Sequence, residues 1–320
     1  MTAPLKVVVV GRGFGARVVA PVFAATEGCE VIDVVSPRDD AAVADAIARA
    51  DLVAVHAPPF AHRHIVERAL DAGRAVLCDK PFGTSEDDAL AMADRATAAG
   101  VPLLVNFEFR WHPVRTVLRG LIRDGAVGPV EHVQWTAYNS GSRVPLRPYG
   151  WLFDAAQGGG WIGAWGSHVL DFLRWTLGDV VAASALLRTT VTERPDADGR
   201  MHACTAEDGF TATLDHAGGA SVTIDTTFVA PVTVPQRVTV IGADGALEVV
   251  ADRRITRRDA DGTHEVFTFD PPAEDPHLVP MRRWAEVVRD AARTGAPDPE
   301  AAVAADGVAC ARIMDALRDR

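Results

Sequence analysis

Three short stretches bring together residue types that can do chemistry. GRGFGA at residues 11–16 sets Gly11, Gly13 and Ala16 at the spacing G-x-G-x-x-G/A. Glycines so spaced permit a tight turn and the close approach of a pyrophosphate to the start of a helix, so Gly11, Arg12, Gly13, Phe14 and Gly15 are expected to hold a dinucleotide. CDKPFG at residues 78–83 carries Lys80, one of only two lysines, the other being Lys6. An ammonium can hydrogen-bond a substrate oxygen and give up a proton in a way that a guanidinium cannot. GGGWIGAWGSHVLD at residues 158–171 combines glycines with Trp161, Trp165 and His168. Glycine removes bulk, tryptophan offers a flat apolar wall and histidine can carry a proton at neutral pH, a set suited to the floor of a pocket. A crowded glycine turn packed on aromatics is the alternative reading.

The elements around these stretches decide where they point. From residue 5 to about 122, short β-branched runs (5–10, 30–35, 51–56, 75–79, 102–106) alternate with helical patterns near 14–25, 39–49, 60–72, 84–99 and 111–124. That alternation predicts a doubly wound parallel sheet of the Rossmann type, an α/β fold whose ligands bind outside the carboxyl ends of the strands. Gly11, Ser36 and Lys80 all fall on that edge. Beyond about residue 124, runs such as VEHVQWTAYN, ASVTIDTTF and QRVTVIGADGALEVV alternate polar and apolar residues across turns. They predict a C-terminal α/β domain with a large, mostly antiparallel open sheet, closed by two helices near the C-terminus. The expected division is 1–122 for the dinucleotide domain and 123–320 for a substrate and oligomerisation domain. One face of the open sheet would be solvated or buried against another copy, as a homodimer or homotetramer.

The choice of dinucleotide turns on the end of the second strand. Ser36-Pro37-Arg38 stands where an acidic side chain would bind the ribose 2′-hydroxyl of NAD, and Asp33 comes three residues too early. A hydroxyl and a guanidinium suit a 2′-phosphate, so NADP is the expected cofactor, with NAD the alternative. Pro58 and His62, after the third strand, are expected beside the cofactor. A net charge of −11 without a basic block argues against nucleic-acid or membrane partners, and no run of apolar residues is long enough for a membrane span. Four separated cysteines suggest free thiols and a cytoplasmic setting. His112, His132, His202, His216, His264 and His277 show no metal-ligand spacing, so no metal is expected.

With HAPPFAHRHIVERALDAGRAVLCDKP (56–81), FEFRWHP (107–113) and GGGWIGAWGSHVLDFLRWTLG (158–178), the chain resembles the glucose–fructose oxidoreductase, inositol dehydrogenase and rhizopine-catabolism (Gfo/Idh/MocA) family over nearly its whole length. The resemblance implies reversible oxidation of a hydroxyl on a sugar, cyclic polyol or related small molecule. It implies that Lys80, in an Asp79-Lys80-Pro81 that matches the family's Glu-Lys-Pro with a shortened acid, touches cofactor and substrate. The family's Asp-x-Gly-x-His-x-x-Asp appears here with Ala164 in place of the first aspartate, with His168 and Asp171 retained. On a helix Ala164 and His168 share a face, so one of two polar groups has become a methyl. Lys80 and His168 are then the expected catalytic pair, and Asp171 a structural hydrogen-bonding group. Arg110, Tyr149, Trp151, Asp154, Trp161, Trp165 and His168 are the expected substrate contacts. Ala164 keeps a second reading open, a sensor of the same fold that binds dinucleotide and ligand without turnover. A third, known among relatives, is transient oxidation that enables hydrolysis or elimination.

Overall fold

The computed structural model describes residues 3–319. In chain order its elements are β1 (Leu5–Val10), α1 (Ala20–Ala25), β2 (Cys29–Val35), α2 (Asp40–Arg49), β3 (Leu52–Val55), α3 (His62–Asp71), β4 (Ala75–Cys78), α4 (Glu86–Ala99), β5 (Leu103–Val105), α5 (Pro113–Arg123) and β6 (Val130–Tyr138). There follow α6 (Ser167–Leu177), β7 (Val180–Arg188), β8 (Glu193–Pro195), β9 (Met201–Ala203), β10 (Gly209–His216), β11 (Ser221–Thr227), β12 (Val234–Gly242), β13 (Gly245–Val250), β14 (Arg254–Asp259), β15 (Gly262–Thr268), α7 (Leu278–Thr294) and α8 (Ala304–Arg318). Among the described residues no helix is long and apolar enough to cross a membrane. Cys29, Cys78, Cys204 and Cys310 form no disulfide.

The chain forms two compact units. The first is Met1–Trp111 with Glu274–Arg312, and the second is His112–Ala273 with Ile313–Arg320. This corrects the expected division at 122/123, because α7 and the first part of α8 return to the first unit. The reason is packing. Trp284 of α7 is fully buried and stacks on Trp111 at 6.1 Å. The Val105 N–H donates to the Ala302 carbonyl at 2.9 Å, so the returning chain pairs with the edge strand.

In the first unit the five strands are parallel, in the order β2-β1-β3-β4-β5. Val7–Val10 and Leu52–Val55 are completely buried, which is why these strands read as unbroken apolar runs rather than alternating ones. The chain leaves β1 toward one side for β2 and returns to the other for β3, so the topological switch point lies between the carboxyl ends of β1 and β3. Local chemistry sets the helices. Asp39 caps α2 by accepting from the Ala42 N–H at 3.0 Å, and Ser85 caps α4 ahead of three acids in its first turn.

The second unit is built on an eight-stranded sheet ordered β15-β14-β13-β12-β6-β11-β10-β7. Every pairing is antiparallel except that of β6 with β11. Alternation does what it predicts. Phe210, Ala212 and Leu214 of β10 face the core, whereas Thr213 and Asp215 face outward. The outer face is largely polar, with Leu186 and Ile241 exposed on it, and Tyr138 and Arg188 both donate to Asp225, at 2.6 and 3.0 Å.

Candidate functional site

At the switch point the three glycines of the first loop do different work. A Cβ on Gly11 would stand 2.2 Å from the His56 carbonyl oxygen, and its φ of +144° is one that other residues rarely adopt. A Cβ on Gly15 would meet Val9 at 2.8 Å, so the chain after the loop packs tightly on β1, entering through a single π-helical turn. A Cβ on Gly13 meets nothing within 4 Å, which leaves this side of the loop open for a close backbone approach. Phe14 packs its ring 5.7 Å from His56 and edge-on to His277 at 5.0 Å. His56 is fully buried, and its Nε2 has no hydrogen-bond partner among the described residues. An open glycine face beside an orphaned ring nitrogen at the switch point fits a dinucleotide, held by the Gly11–Gly15 backbone with Phe14 and His56 at its side.

Lys80 stands one strand further along, on the turn after β4. Asp79 Oδ1 accepts from the Lys80 backbone N–H at 2.9 Å and from Asn106 Nδ2 at 3.2 Å, and its Oδ2 lies 3.2 Å from His56 Nδ1. Burial alone would raise the Asp79 pKa. The His56 ring, Lys80 and His62 outweigh it and hold the carboxylate far below its ordinary range. Pro58 is half-buried at the head of the turn after β3. His62 is not an exposed ligand contact. It is completely buried, with Nε2 2.7 Å from the Ala57 carbonyl and Nδ1 3.1 Å from the Pro81 carbonyl, so both ring nitrogens are occupied by backbone. Burial pushes its pKa down, with Asp79 pulling the other way.

Around the end of β2 the acids are committed elsewhere. Asp33 accepts from Arg49 at 2.7 Å and from the Val34 N–H at 2.9 Å, Asp39 caps α2, and Asp40 pairs with Arg68. Ser36 is half-buried, and Arg38 and Arg12 are exposed. Arg110, expected in the substrate wall, is instead turned inward. It is 3% exposed, with Nη2 3.3 Å from Asp306 and Nη1 donating to the Glu300 carbonyl, so it ties the 108–111 turn to the returning C-terminal segment.

In the second unit the segment at 158–171 is a π-helical turn, Ile162–Gly166, running into α6. Trp161 stacks on Phe228 at 4.4 Å and on Trp165 at 5.6 Å, and its indole N–H donates to Thr226 Oγ1 at 2.9 Å. Trp151 and Ala164 are half-buried against the same cluster, while Tyr149, also half-buried, stacks on His202 at 4.6 Å. Asp154 caps a short turn, taking the Ala156 N–H at 3.0 Å and Gln157 Nε2 at 2.7 Å. His168 is 4% exposed and Asp171 2%, both on the first turns of α6. Lys80 belongs to the first unit and His168 to the second.

Several residues that shape these sites were not singled out in the sequence. His56 carried one available signal, its place directly after a strand that flanks the switch point. The buried Glu108, whose Oε1 is 2.7 Å from His277 Nδ1, brings a residue from far along the chain beside Phe14. Glu207 anchors the glycine run, accepting from the Ile162 N–H at 3.1 Å while its own carbonyl accepts from the Trp161 N–H at 2.9 Å. No spacing announces either pairing.

Residues 5–107 match the family model described as the oxidoreductase family with an NAD-binding Rossmann fold, and residues 116–248 match the GFO/IDH/MocA C-terminal domain. The D-apiose dehydrogenase of Paraburkholderia graminis is 33% identical over 248 residues, covering 73% of this chain and 60% of that protein. An uncharacterised oxidoreductase of Synechocystis is 29% identical over 250 residues, covering 71% and 66%. The matched part thus spans somewhat under two thirds of either relative. A levoglucosan dehydrogenase structure with NADH bound superposes with a TM-score of 0.85 at 22% identity, over 98% of this chain and 96% of that one, a likeness of fold. A dinucleotide loop of this geometry at the switch point, and matches to both family models along the chain, lead to one assignment: the protein belongs to the Gfo/Idh/MocA oxidoreductase family.

Proposed function

We propose that the protein is an NADP-preferring oxidoreductase that interconverts a hydroxyl and a ketone on a sugar, cyclic polyol or related small molecule. The observation that carries this reading is the placement of Lys80 on the carboxyl edge of the parallel sheet, one strand from a glycine loop whose Gly13 face is open. The names of two similar proteins, D-apiose dehydrogenase and levoglucosan dehydrogenase, support a sugar-like substrate. The preference for NADP rests on the acids near the end of β2 being occupied by Arg49, Arg68 and the α2 cap, while Ser36 and Arg38 remain to meet a 2′-phosphate.

A bound nicotinamide supplies or accepts the hydride at carbon. Lys80 holds the substrate oxygen with its ammonium. His168 takes the hydroxyl proton on oxidation and returns it on reduction. Trp151, Trp161, Trp165 and Tyr149 offer ring faces to the C–H groups of a sugar. The outer face of the large sheet, with Leu186 and Ile241 exposed, serves as the contact between copies; a monomeric mass by light scattering at working concentration would remove that part.

Ala164 favours a second reading, a sensor that binds NADPH and a small ligand without turnover. Titration with NADPH, followed by a panel of keto-sugars, inosose-type ketones and aromatic carbonyls, separates the two. Consumption of NADPH with one member, lost in Lys80→Ala, supports the oxidoreductase. Tight NADPH binding with no consumption across the panel supports the sensor.

A further inference from the structure

We propose that His62 and Asp79 are positioning residues that grip the Lys80 turn from both sides and set where its ammonium can reach. The proposal rests on the reading of Lys80 given above.

The chain before and after Lys80 is held by side chains from two directions, at the Lys80 N–H and at the Pro81 carbonyl. On the N-terminal side, Asp79 bends back to accept the Lys80 N–H at 2.9 Å. The carboxylate is itself anchored by Asn106 at the end of β5 and by His56 at the end of β3. The Asp79 and Asn106 backbones are tied as well, Asp79 N–H to the Val55 carbonyl at 2.8 Å and Asn106 N–H to the Cys78 carbonyl at 2.7 Å. On the C-terminal side, the Pro81 carbonyl faces His62 Nδ1, and the other nitrogen of that ring faces Ala57 in the turn after β3. The imidazole is therefore a rigid strut between two strand-end turns, one of which carries Lys80.

Lysine needs such support. Its point charge sits on a flexible four-carbon stem, and a site that uses it must hold it within about 0.5 Å of a productive geometry. With the backbone locked on both sides, only the stem's own rotamers remain to be fixed. The shortened acid suits this device. A carboxylate one carbon from Cβ reaches the next residue's N–H in a local turn, and its second oxygen is still free to meet His56. A leucine at position 62 would fill the space of the ring and leave the carbonyl served by the ring N–H without its donor.

Because Lys6 is the only other lysine, Lys80 can be watched directly. Reductive methylation with isotopically labelled formaldehyde yields NMR signals from two lysines and the N-terminal amine, and Lys6→Arg assigns them. In the folded full-length protein, His62→Leu and Asp79→Ala are expected to move the Lys80 signal toward that of Lys6, with the Lys6 signal unmoved. His62→Gln, which can still donate to one carbonyl, and Asp79→Asn, which can still accept the Lys80 N–H, are expected to recover at least about half of that displacement. A Lys80 signal unchanged in both His62→Leu and Asp79→Ala overturns the proposal, as does equal displacement by the disruptive and conservative variants. Should the disruptive pair fail to fold, a Lys80 signal in His62→Gln and Asp79→Asn identical to that of the parent overturns it. Lys80→Ala with undiminished turnover would sink the catalytic reading of Lys80 and leave the NMR result standing, so the two failures are distinguishable.

Discussion

The glycine loop at 11–15 in the parallel-sheet unit and the glycine run at 158–160 in the other unit are alike as sequence, each a cluster of small residues beside aromatic and ionisable side chains. The fold uses them for opposite purposes. At Gly13 the missing side chain leaves open space, whereas Gly159 and Gly160 remove bulk so that the protein itself can pack there. A Cβ on Gly159 would meet the Trp151 carbonyl oxygen at 2.4 Å. One on Gly160, whose φ is +110°, would meet the Glu207 carboxylate at 2.2 Å. A glycine motif becomes a ligand site where topology leaves a sheet edge open before it, and a packing joint where another element already occupies the space.

The strongest way to break that contrast is at its catalytic end. Lys80→Ala is expected to lower turnover by about 10²–10⁴-fold, read as loss of NADPH absorbance with an active substrate, the range of a positioned proton-transfer group. A variant of full activity would leave the open edge without its chemistry.

The glycines offer a paired test. Gly160→Ala is expected to destabilise by about 2–4 kcal/mol, from a strained φ and an overlap with Glu207, measured as a lowered denaturant midpoint. Gly13→Ala should stay within about 0.5 kcal/mol of the parent in stability and lose dinucleotide affinity instead. Equal stability losses in the two would erase the distinction between joint and cradle.

A pH titration sharpens the second unit's side. Burial, reinforced by Arg115 and only partly offset by Asp252, pushes His112 down to about 4. The folded protein therefore keeps the ring neutral while the unfolded chain protonates near its ordinary 6.5, so stability is lost as pH falls from about 6.5 to about 4, by at most about 3 kcal/mol. His112→Gln should flatten that slope in unfolding midpoints taken across the window, and an unchanged slope would remove His112 from the account. The smallest effect belongs to cofactor choice. Arg38→Ala should weaken NADPH binding about tenfold, roughly 1.4 kcal/mol, and leave NADH within about twofold. Equal loss for both cofactors would count against a 2′-phosphate contact.

How much of each region was legible follows from how it is held. In the first unit the strand ends dictate where the loops go, so Gly11, Gly13 and Lys80 could be placed on one edge from spacing alone. What escaped notice there was reach. Arg110 finds Asp306 and Phe14 finds His277, partners that come from the far end of the chain and that no local pattern announces. The second unit was legible as alternating strands on a large sheet, because period-two burial writes itself into sequence. Its aromatic cluster was visible only as a set of separate rings. The stack of Trp161 on Phe228 and the anchoring of the glycine run by Glu207 join residues separated by a helix and several strands. His62, expected beside the cofactor from its place after a proline pair, lies inside the protein with both ring nitrogens within hydrogen-bond reach of backbone carbonyls, partners that its position in the sequence does not announce.

The return of Glu274–Arg312 to the first unit also bears on how the chain acquires its structure during synthesis. Most of the second unit, His112–Ala273, lies between the two segments of the first in sequence, so the parallel sheet's strands are made well before the segment that completes their packing. A nascent chain halted at residue 273 would have made every strand of that sheet while lacking the Trp284 that stacks on Trp111, the Ala302 carbonyl that pairs with β5 and the Gly307 backbone that packs on Phe82. Such an intermediate exposes an apolar flank and an unpaired strand edge until Glu274–Arg312 has been made, a state open to misassociation or to chaperone capture.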